Sequence, residues 1–205
     1  MTLEGKGLGF RYHSDVWLFR NVDVTINPGE VIGLFGPSGC GKTTLGRILA
    51  GFEVPKEGAV TVDGRPVTEW EGYHPVQMVF QHPERSVNPR WRIRKTLYEG
   101  WEPDGVFLER LGIEGDWLDR WPNELSGGQL QRICIARALG HKTRYLIADE
   151  ITTMLDSITQ AQIWHALLDV VRERKLGMLV ISHDGPLLRR ICDRILAWEA
   201  LTWGR

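Results

Sequence analysis

Residues 36–44 read Gly36-Pro37-Ser38-Gly39-Cys40-Gly41-Lys42-Thr43-Thr44. The pattern Gly-x-x-x-x-Gly-Lys-Thr is that of a phosphate-cradling loop, and its neighbours supply the context the loop requires. The apolar run Val31-Ile32-Gly33-Leu34-Phe35 reads as a strand before it, and Leu45 to Leu49 as a helix after it. Successive backbone N–H groups of such a loop face inward, and the helix N-terminus adds partial positive charge. The Lys42 ammonium reaches the β- and γ-phosphates, and the Thr43 hydroxyl is a ligand for Mg2+. A glycine-rich turn without chemistry is the alternative, and the strand–loop–helix setting argues against it. The first expectation is a nucleoside triphosphate.

The bulk properties exclude several classes. The 205 residues amount to one domain, and 42% hydrophobic with 25% charged residues describes an ordinary globule. A net charge of −1 creates no field that draws the chain to nucleic acid or an acidic membrane. No apolar stretch approaches the roughly 20 residues that cross a bilayer. The start, Met1 to Phe10, lacks the layout of a signal peptide. Cys40, Cys134 and Cys192 are odd in number and lack metal spacing, so a reducing, cytoplasmic compartment is expected. Cys40 lies inside the loop, where a helix N-terminus favours thiolate; a small residue at a tolerant position is the simpler reading.

Along the chain, short apolar runs alternate with helical patterns. Val76–Phe80, Tyr145–Ala148, Met178–Ile181 and Ile195–Trp198 read as strands, several apolar throughout, as strands buried on both faces are. A helix lies between the second and third. Ser157 and Gln160 have capping-box spacing, and Ile163, Trp164, Leu167, Leu168 and Val171 form one apolar stripe. Arg172, Arg174 and Lys175 fall in its last turn, and Gly177 ends it. The alternation predicts an α/β fold with a parallel core. Residues 6–26 and 58–67 read as antiparallel strands of a small β layer. From Gln81 to Leu125, Pro83, Pro89, Pro103 and Pro122 interrupt the pattern and four tryptophans cluster, which predicts an inserted helical lobe. The expected organisation is a single domain, 1–205, with the β layer and core in 1–80 and 131–205 and the lobe in 81–130.

Four further features narrow the chemistry. Leu146-Ile147-Ala148-Asp149-Glu150 is an apolar strand ending in two carboxylates. An acid at the C-terminal end of a parallel strand stands beside the phosphate loop, so Asp149 suits the Mg2+ shell and Glu150 the polarisation of an attacking water. Leu125-Ser126-Gly127-Gly128-Gln129 places two bare N–H groups and a hydroxyl at the start of a helix running through Leu139, a second anion site. The phosphate loop is far away in sequence and complete, so this tip is expected to serve a nucleotide held by a second subunit. His183, after the strand Met178–Ile181, is placed to contact the γ-phosphate and the water. Gln81, after Val76–Phe80, can ligate Mg2+ through its amide oxygen.

Together these motifs resemble the ATP-binding cassette (ABC) ATPases over nearly the whole chain. They occur in family order: the loop Gly36 to Thr44, Gln81, the signature Leu125 to Gln129, Asp149-Glu150, Asp156 and His183. The resemblance implies a P-loop NTPase fold with a RecA-like, mainly parallel core, a flanking antiparallel β layer and an inserted helical lobe. It implies ATP and Mg2+ as cofactors and an ATPase whose nucleotide touches Lys42 of one subunit and Ser126 to Gln129 of another. It also implies that Tyr12 stacks on adenine; packing within the β layer is the rival reading for Tyr12. Asp156 joins the nucleotide-site residues on the same ground.

A narrower resemblance is to the ATPases of oligopeptide, dipeptide and nickel importers. It rests on residues 81–90, 120–129, 155–163 and 191–195. That likeness implies a homo- or heterodimer on two permease subunits, indirectly served by a solute-binding protein, peripheral on the inner face of the membrane, with no nucleic-acid partner. Trp91 among Arg90, Arg92, Arg94 and Lys95 is a candidate edge of the docking surface, or a solvated basic face beside a core Trp. Three departures stand out: Ile151 where the family has Pro, Met154 where it has Ala at the dimer interface, and an end at Arg205 without the extension many importer ATPases carry. The alternatives are an ABC ATPase detached from any permease, acting in phosphonate metabolism or on nucleic acid or ribosomes, and a module that binds ATP without turnover.

Overall fold

Strands too apolar to leave either face in water dictate the central layer. The computed structural model describes residues 2–12 and 16–202, so the chain end at Arg205 lies outside the described residues. In chain order the elements are β1 (Leu3–Phe10), β2 (Phe19–Ile26), β3 (Val31–Phe35), α1 (Lys42–Leu49), β4 (Glu57–Val62), β5 (Arg65–Pro66), β6 (Val76–Val79), α2 (Ile93–Leu97), α3 (Gly105–Arg110), α4 (Gly127–Ala138), β7 (Tyr145–Asp149), α5 (Ser157–Glu173), β8 (Gly177–Ser182), α6 (Gly185–Ile191), β9 (Arg194–Ala197) and α7 (Trp198–Thr202).

The five-stranded sheet runs β6-β7-β8-β3-β9, all parallel. Alternate side chains enter two separate cores, as the period of two requires. Val31, Leu146, Ala148, Met178 and Val180 face the core built with α4 and α5. Ile32, Leu34, Ile147, Leu179 and Ile181 face the core shared with α1 and the second sheet. That second sheet, β2-β1-β4-β5, is antiparallel. Helix α1 lies between the two sheets: Leu45, Ile48 and Leu49 are fully buried with Leu3 and Leu8. Gly46 lets it approach the parallel sheet, since a Cβ there would lie 2.9 Å from Ile181 and 3.2 Å from Ile147.

Between β6 and α4 the chain forms only short helices and 3-10 turns. Ile93, Leu97, Phe107, Leu111, Trp117 and Leu118 bury themselves against α4 in the same core as α5. No helix among the described residues is long and apolar enough to cross a membrane.

Three local expectations are corrected. The last strand ends at Ala197, and Trp198 opens α7 instead of closing the strand. The N-cap of α5 is Asp156, not Ser157: its carboxylate accepts from the N–H groups of Ile158 (3.1 Å) and Thr159 (3.0 Å). A carboxylate is the stronger acceptor and opposes the helix-end charge, so it displaces the serine one residue on. Gly177 does not end α5 but starts β8, packed so tightly on the Tyr145 ring that a Cβ would lie 2.6 Å away. The left-handed closing residue is Lys175, at φ 53°. Leu176 N–H donates to Val171 O (2.9 Å) and Lys175 N–H to Arg172 O (3.2 Å), the Schellman pattern.

Gly46→Val tests the seating of α1. Overpacking of this kind costs about 2 kcal/mol, a fall in Tm of roughly 4–8 °C for a chain of this size. A melting curve equal to wild type would mean that α1 does not rest on β7 and β8.

Candidate nucleotide site

The loop after β3 is shaped by its glycines and by a tryptophan far away in sequence. Gly39 and Gly41 have φ of 78° and 116°, a region side chains avoid. A Cβ at Gly36 would lie 2.6 Å from Trp198 Cβ, and one at Gly41 would lie 3.1 Å from the Trp198 ring. Trp198 is 5% exposed and packs edge-on against Phe19, with centroids 5.6 Å apart. Within the loop, the buried Lys42 ammonium donates to the carbonyls of Gly36 (2.8 Å) and Pro37 (2.7 Å). The charge is thereby held inside the loop's curve. Ser38 and Gly39 are exposed, and Cys40 is half-buried with Sγ 4.0 Å from Lys42 Nζ. Tyr12 lies beyond β1, 54% exposed, edge-on to Phe10, and its hydroxyl pairs with Thr44 Oγ1 at 2.8 Å. Its ring thus rests against the β layer through Phe10, and its hydroxyl is tied to the start of α1.

Strand β7 brings its carboxylates to the same edge. Asp149 is 4% exposed, and Thr43 Oγ1 donates to its Oδ1 at 3.1 Å. Burial pushes the Asp149 carboxyl up to about 6; the Thr43 hydrogen bond pulls it down, and the neighbouring Glu150 pushes it up. Glu150 adopts φ 49°, unusual for a side-chain-bearing residue, and its N–H donates to Ile181 O at 3.0 Å. That turn aims both carboxylate oxygens at partners. His183 Nδ1 lies 3.2 Å from Oε1, and Gln81 Nε2 donates to Oε2 at 3.4 Å.

Among the described residues no three His, Cys, Asp or Glu side chains cluster as a metal cage. Thr43, Gln81 and Asp149 instead line one cleft and offer a hydroxyl, an amide oxygen and a nearly buried carboxylate. Hard oxygen donors with a single carboxylate, completed by water and phosphate, suit Mg2+.

The signature residues stand elsewhere. Ser126 caps α4 reciprocally with Gln129: Gln129 N–H donates to Ser126 Oγ at 3.2 Å, and Ser126 N–H donates to Gln129 Oε1 at 2.8 Å. Ser126, Gly127, Gly128 and Gln129 line a cleft of about 1130 Å³ with Asp156 and the exposed Met154. No residue of the 36–44 loop lines that cleft, nor do Asp149, Glu150 or His183. Asp156 spends Oδ1 on its cap and Oδ2 on the Thr159 hydroxyl (2.7 Å), and that hydroxyl chiefly holds its carboxyl below the usual range. Ile151 is buried in the core beside α5.

Sequence reasoning passes over three residues here. Trp198 reads as a strand end. Thr153 joins Gln81 to the Glu150 turn, with Gln81 Nε2 donating to its Oγ1 at 3.3 Å. Arg47 shares the cleft of Thr43 and Asp149, and its place four residues after Thr43 is the available signal.

Residues 19–153 match the ABC transporter family. The chain is 37% identical over 194 residues to the nickel import ATP-binding protein NikE of Rhodospirillum rubrum, covering 86% of this chain and 70% of that protein. It is 34% identical over 205 residues to NikE of Escherichia coli, covering 91% and 76%. It is 35% identical over 208 residues to the glutathione import ATP-binding protein GsiA of Pectobacterium atrosepticum, covering 93% of this chain and 33% of that longer protein. Among solved structures, the dimeric ABC transporter cassette MJ0796 superposes with a TM-score of 0.80 at 26% identity, over 96% of this chain and 94% of that one. A second structure of that cassette is a post-hydrolysis dimer bound to ADP and Pi. The chain belongs to the ABC transporter family. It has the P-loop ABC ATPase fold, binds ATP and is an ATPase.

The raised Asp149 pKa has a signed consequence. A carboxyl held above its unfolded value stabilises the fold at low pH, and that stability is lost as pH rises from about 4 through about 6. Between pH 5 and pH 7 the nucleotide-free protein is expected to lose about 1 kcal/mol from this group. Thermal melts of wild type and Asp149→Asn across that range check it: the variant should lack the loss. Parallel pH profiles would show that Asp149 is not the group concerned.

Proposed function

We propose that the chain is the ATP-hydrolysing subunit of an importer, working as a head-to-tail dimer with an identical or related cassette on a pair of permease subunits. The carrying observation is the separation of the two half-sites: the signature tip opens into a cleft that contains nothing of its own phosphate loop. Two bare helix-start N–H groups and a hydroxyl with no phosphate of their own fit a nucleotide held by a second subunit. The relatives NikE and GsiA are import proteins, which supports uptake of a peptide, nickel or a similar solute.

In this reading the loop N–H groups and Lys42 bind the β- and γ-phosphates, Tyr12 stacks on the base, and Ser126 to Gln129 of the other subunit close over the γ-phosphate. Lys42 exchanges the carbonyls of Gly36 and Pro37 for phosphate oxygens. Thr43, Asp149 and Gln81 would hold Mg2+, which would supply charge neutralisation on the bound phosphates. Glu150 accepts a proton from the attacking water as the water oxygen bonds to the γ-phosphorus and the bond from that phosphorus to the leaving ADP oxygen breaks. His183 steadies Glu150 through Nδ1 and keeps its other ring nitrogen available to the γ-phosphate. Loss of the γ-phosphate removes the bridge, and the dimer reopens.

The proposed permease contact is the Arg47, Phe52, Tyr73, Phe80 and Arg85 lining of the same cleft, about 850 Å³, that holds Thr43, Gln81 and Asp149. Phe52 is 57% exposed and packs edge-on against Phe80, with the exposed Arg47 and Arg85 beside them. Apolar rings between exposed cations fit a short amphipathic segment carrying a carboxylate. The Trp91 region fits less well: Lys95 Nζ sits 4.1 Å from the Trp91 ring centre, and Arg94 pairs with Asp119.

Two experiments test the reading. Lys42→Ala and Ser126→Arg are each expected to lack turnover, and turnover should reappear when the two proteins are mixed, because a mixed dimer holds one intact site. Silence on mixing, with dimers confirmed by light scattering, would remove the split site. For the transport arm, tagged wild type should sediment with membranes of its native host, while Phe52→Asp stays in the supernatant with its basal ATPase activity intact. Equal sedimentation of both would move the permease contact away from this cleft.

A further inference from the structure

The hydroxyl of Thr153 has one proton, and the structure shows where it goes. Thr153 Oγ1 donates to the carbonyl of Glu150 at 3.0 Å, within the turn that holds Glu150 at φ 49°. Toward Gln81 the same oxygen is therefore an acceptor, and Gln81 Nε2 donates to it at 3.3 Å. The Glu150 carboxylate oxygen Oε2 accepts a second bond from Nε2 at 3.4 Å. Both partners demand the amide NH2, and together they set a choice that the shape of a Gln side chain leaves open. With Nε2 committed to Glu150 and Thr153, the oxygen Oε1 remains as the other end of Gln81. Gln81 lines the cleft of Thr43 and Asp149. The adjacent hydroxyl cannot substitute, since Thr152 Oγ1 is buried and accepts from Trp164 Nε1 at 3.0 Å.

We propose that Thr153 is a positioning residue that fixes the orientation of the Gln81 amide, so that the nitrogen holds Glu150 and the oxygen is presented to the Mg2+ that accompanies ATP. This rests on the metal placement proposed for Thr43, Asp149 and Gln81. One amide then links the water-activating carboxylate to the cation site, and Thr153 keeps it from flipping.

The test compares wild type, Thr153→Val and Thr153→Ser. Binding of a non-hydrolysable ATP analogue is titrated against Mg2+, alongside steady-state turnover and melting of the nucleotide-free protein. Thr153→Val is expected to raise the Mg2+ half-saturation about fivefold, the factor one ordinary hydrogen bond is worth. Affinity for the analogue without Mg2+ and the melting temperature should stay unchanged, and Thr153→Ser should restore the wild-type Mg2+ curve. A Thr153→Val curve that superimposes on a Mg2+-responsive wild type, or a Thr153→Ser that fails to restore it, overturns the role of Thr153 and leaves the metal placement standing. A wild type whose binding ignores Mg2+ overturns both.

Discussion

Parallel register between neighbouring strands is the constraint on which the site depends. Phe35 pairs with Ser182, Asp149 with Ile181, and Val79 with Ala148, so β3, β6, β7 and β8 end at one edge of one sheet. A parallel sheet sends every strand's C-terminal end the same way, and the loops leaving those ends gather there. The phosphate loop leaves β3, Gln81 stands just past β6, Glu150 just past β7 and His183 just past β8. None of these groups is near another in sequence. A slip of one residue between β7 and β8 would turn Asp149 to the opposite face and place Ile181 where no N–H of Glu150 could meet it.

The legible parts of the sequence are those in which one physical requirement dominates. The core strands are readable because burial on both faces leaves mostly apolar residues: Tyr145–Asp149 and Gly177–Ser182 are buried at every position, and only their last residues are polar or charged. The phosphate loop is readable because left-handed backbone and close approach leave few residues that fit. The cap of α5 is misread because Ser157 and Asp156 both satisfy the local pattern, and only the relative strength of carboxylate and hydroxyl decides between them. Trp198 is misread because an apolar residue after Ile195-Leu196-Ala197 continues a strand pattern equally well. Its packing over Gly36 and Gly41 is a contact between residues far apart in the chain, to which no local period points.

Thr153 marks a different limit. Its hydroxyl matters only through the direction of one hydrogen bond, and that direction depends on the left-handed turn at Glu150. A threonine after Ile151-Thr152 carries no such signal. The same turn gives the Ile151 departure a physical account: with its side chain buried in the core beside α5, the segment is held by packing where the family uses the fixed φ of proline.

A buried carboxyl pushed toward protonation is unfavourable in the empty protein and becomes favourable once a cation neutralises it. With the cation placed as proposed, the cost of burying Asp149 would be relieved when the site is loaded. The signature tip works in the same sense. Ser126 to Gln129 line an open cleft in a single chain, and in the proposed dimer another surface would bring the anion. On the proposed reading both features would favour a loaded, closed assembly, and loss of the γ-phosphate would withdraw support from the two halves together. Under the proposed reading, chemistry at Glu150 would be tied to association between subunits, the form in which a nucleotide engine can pass work to a partner it touches only at its surface.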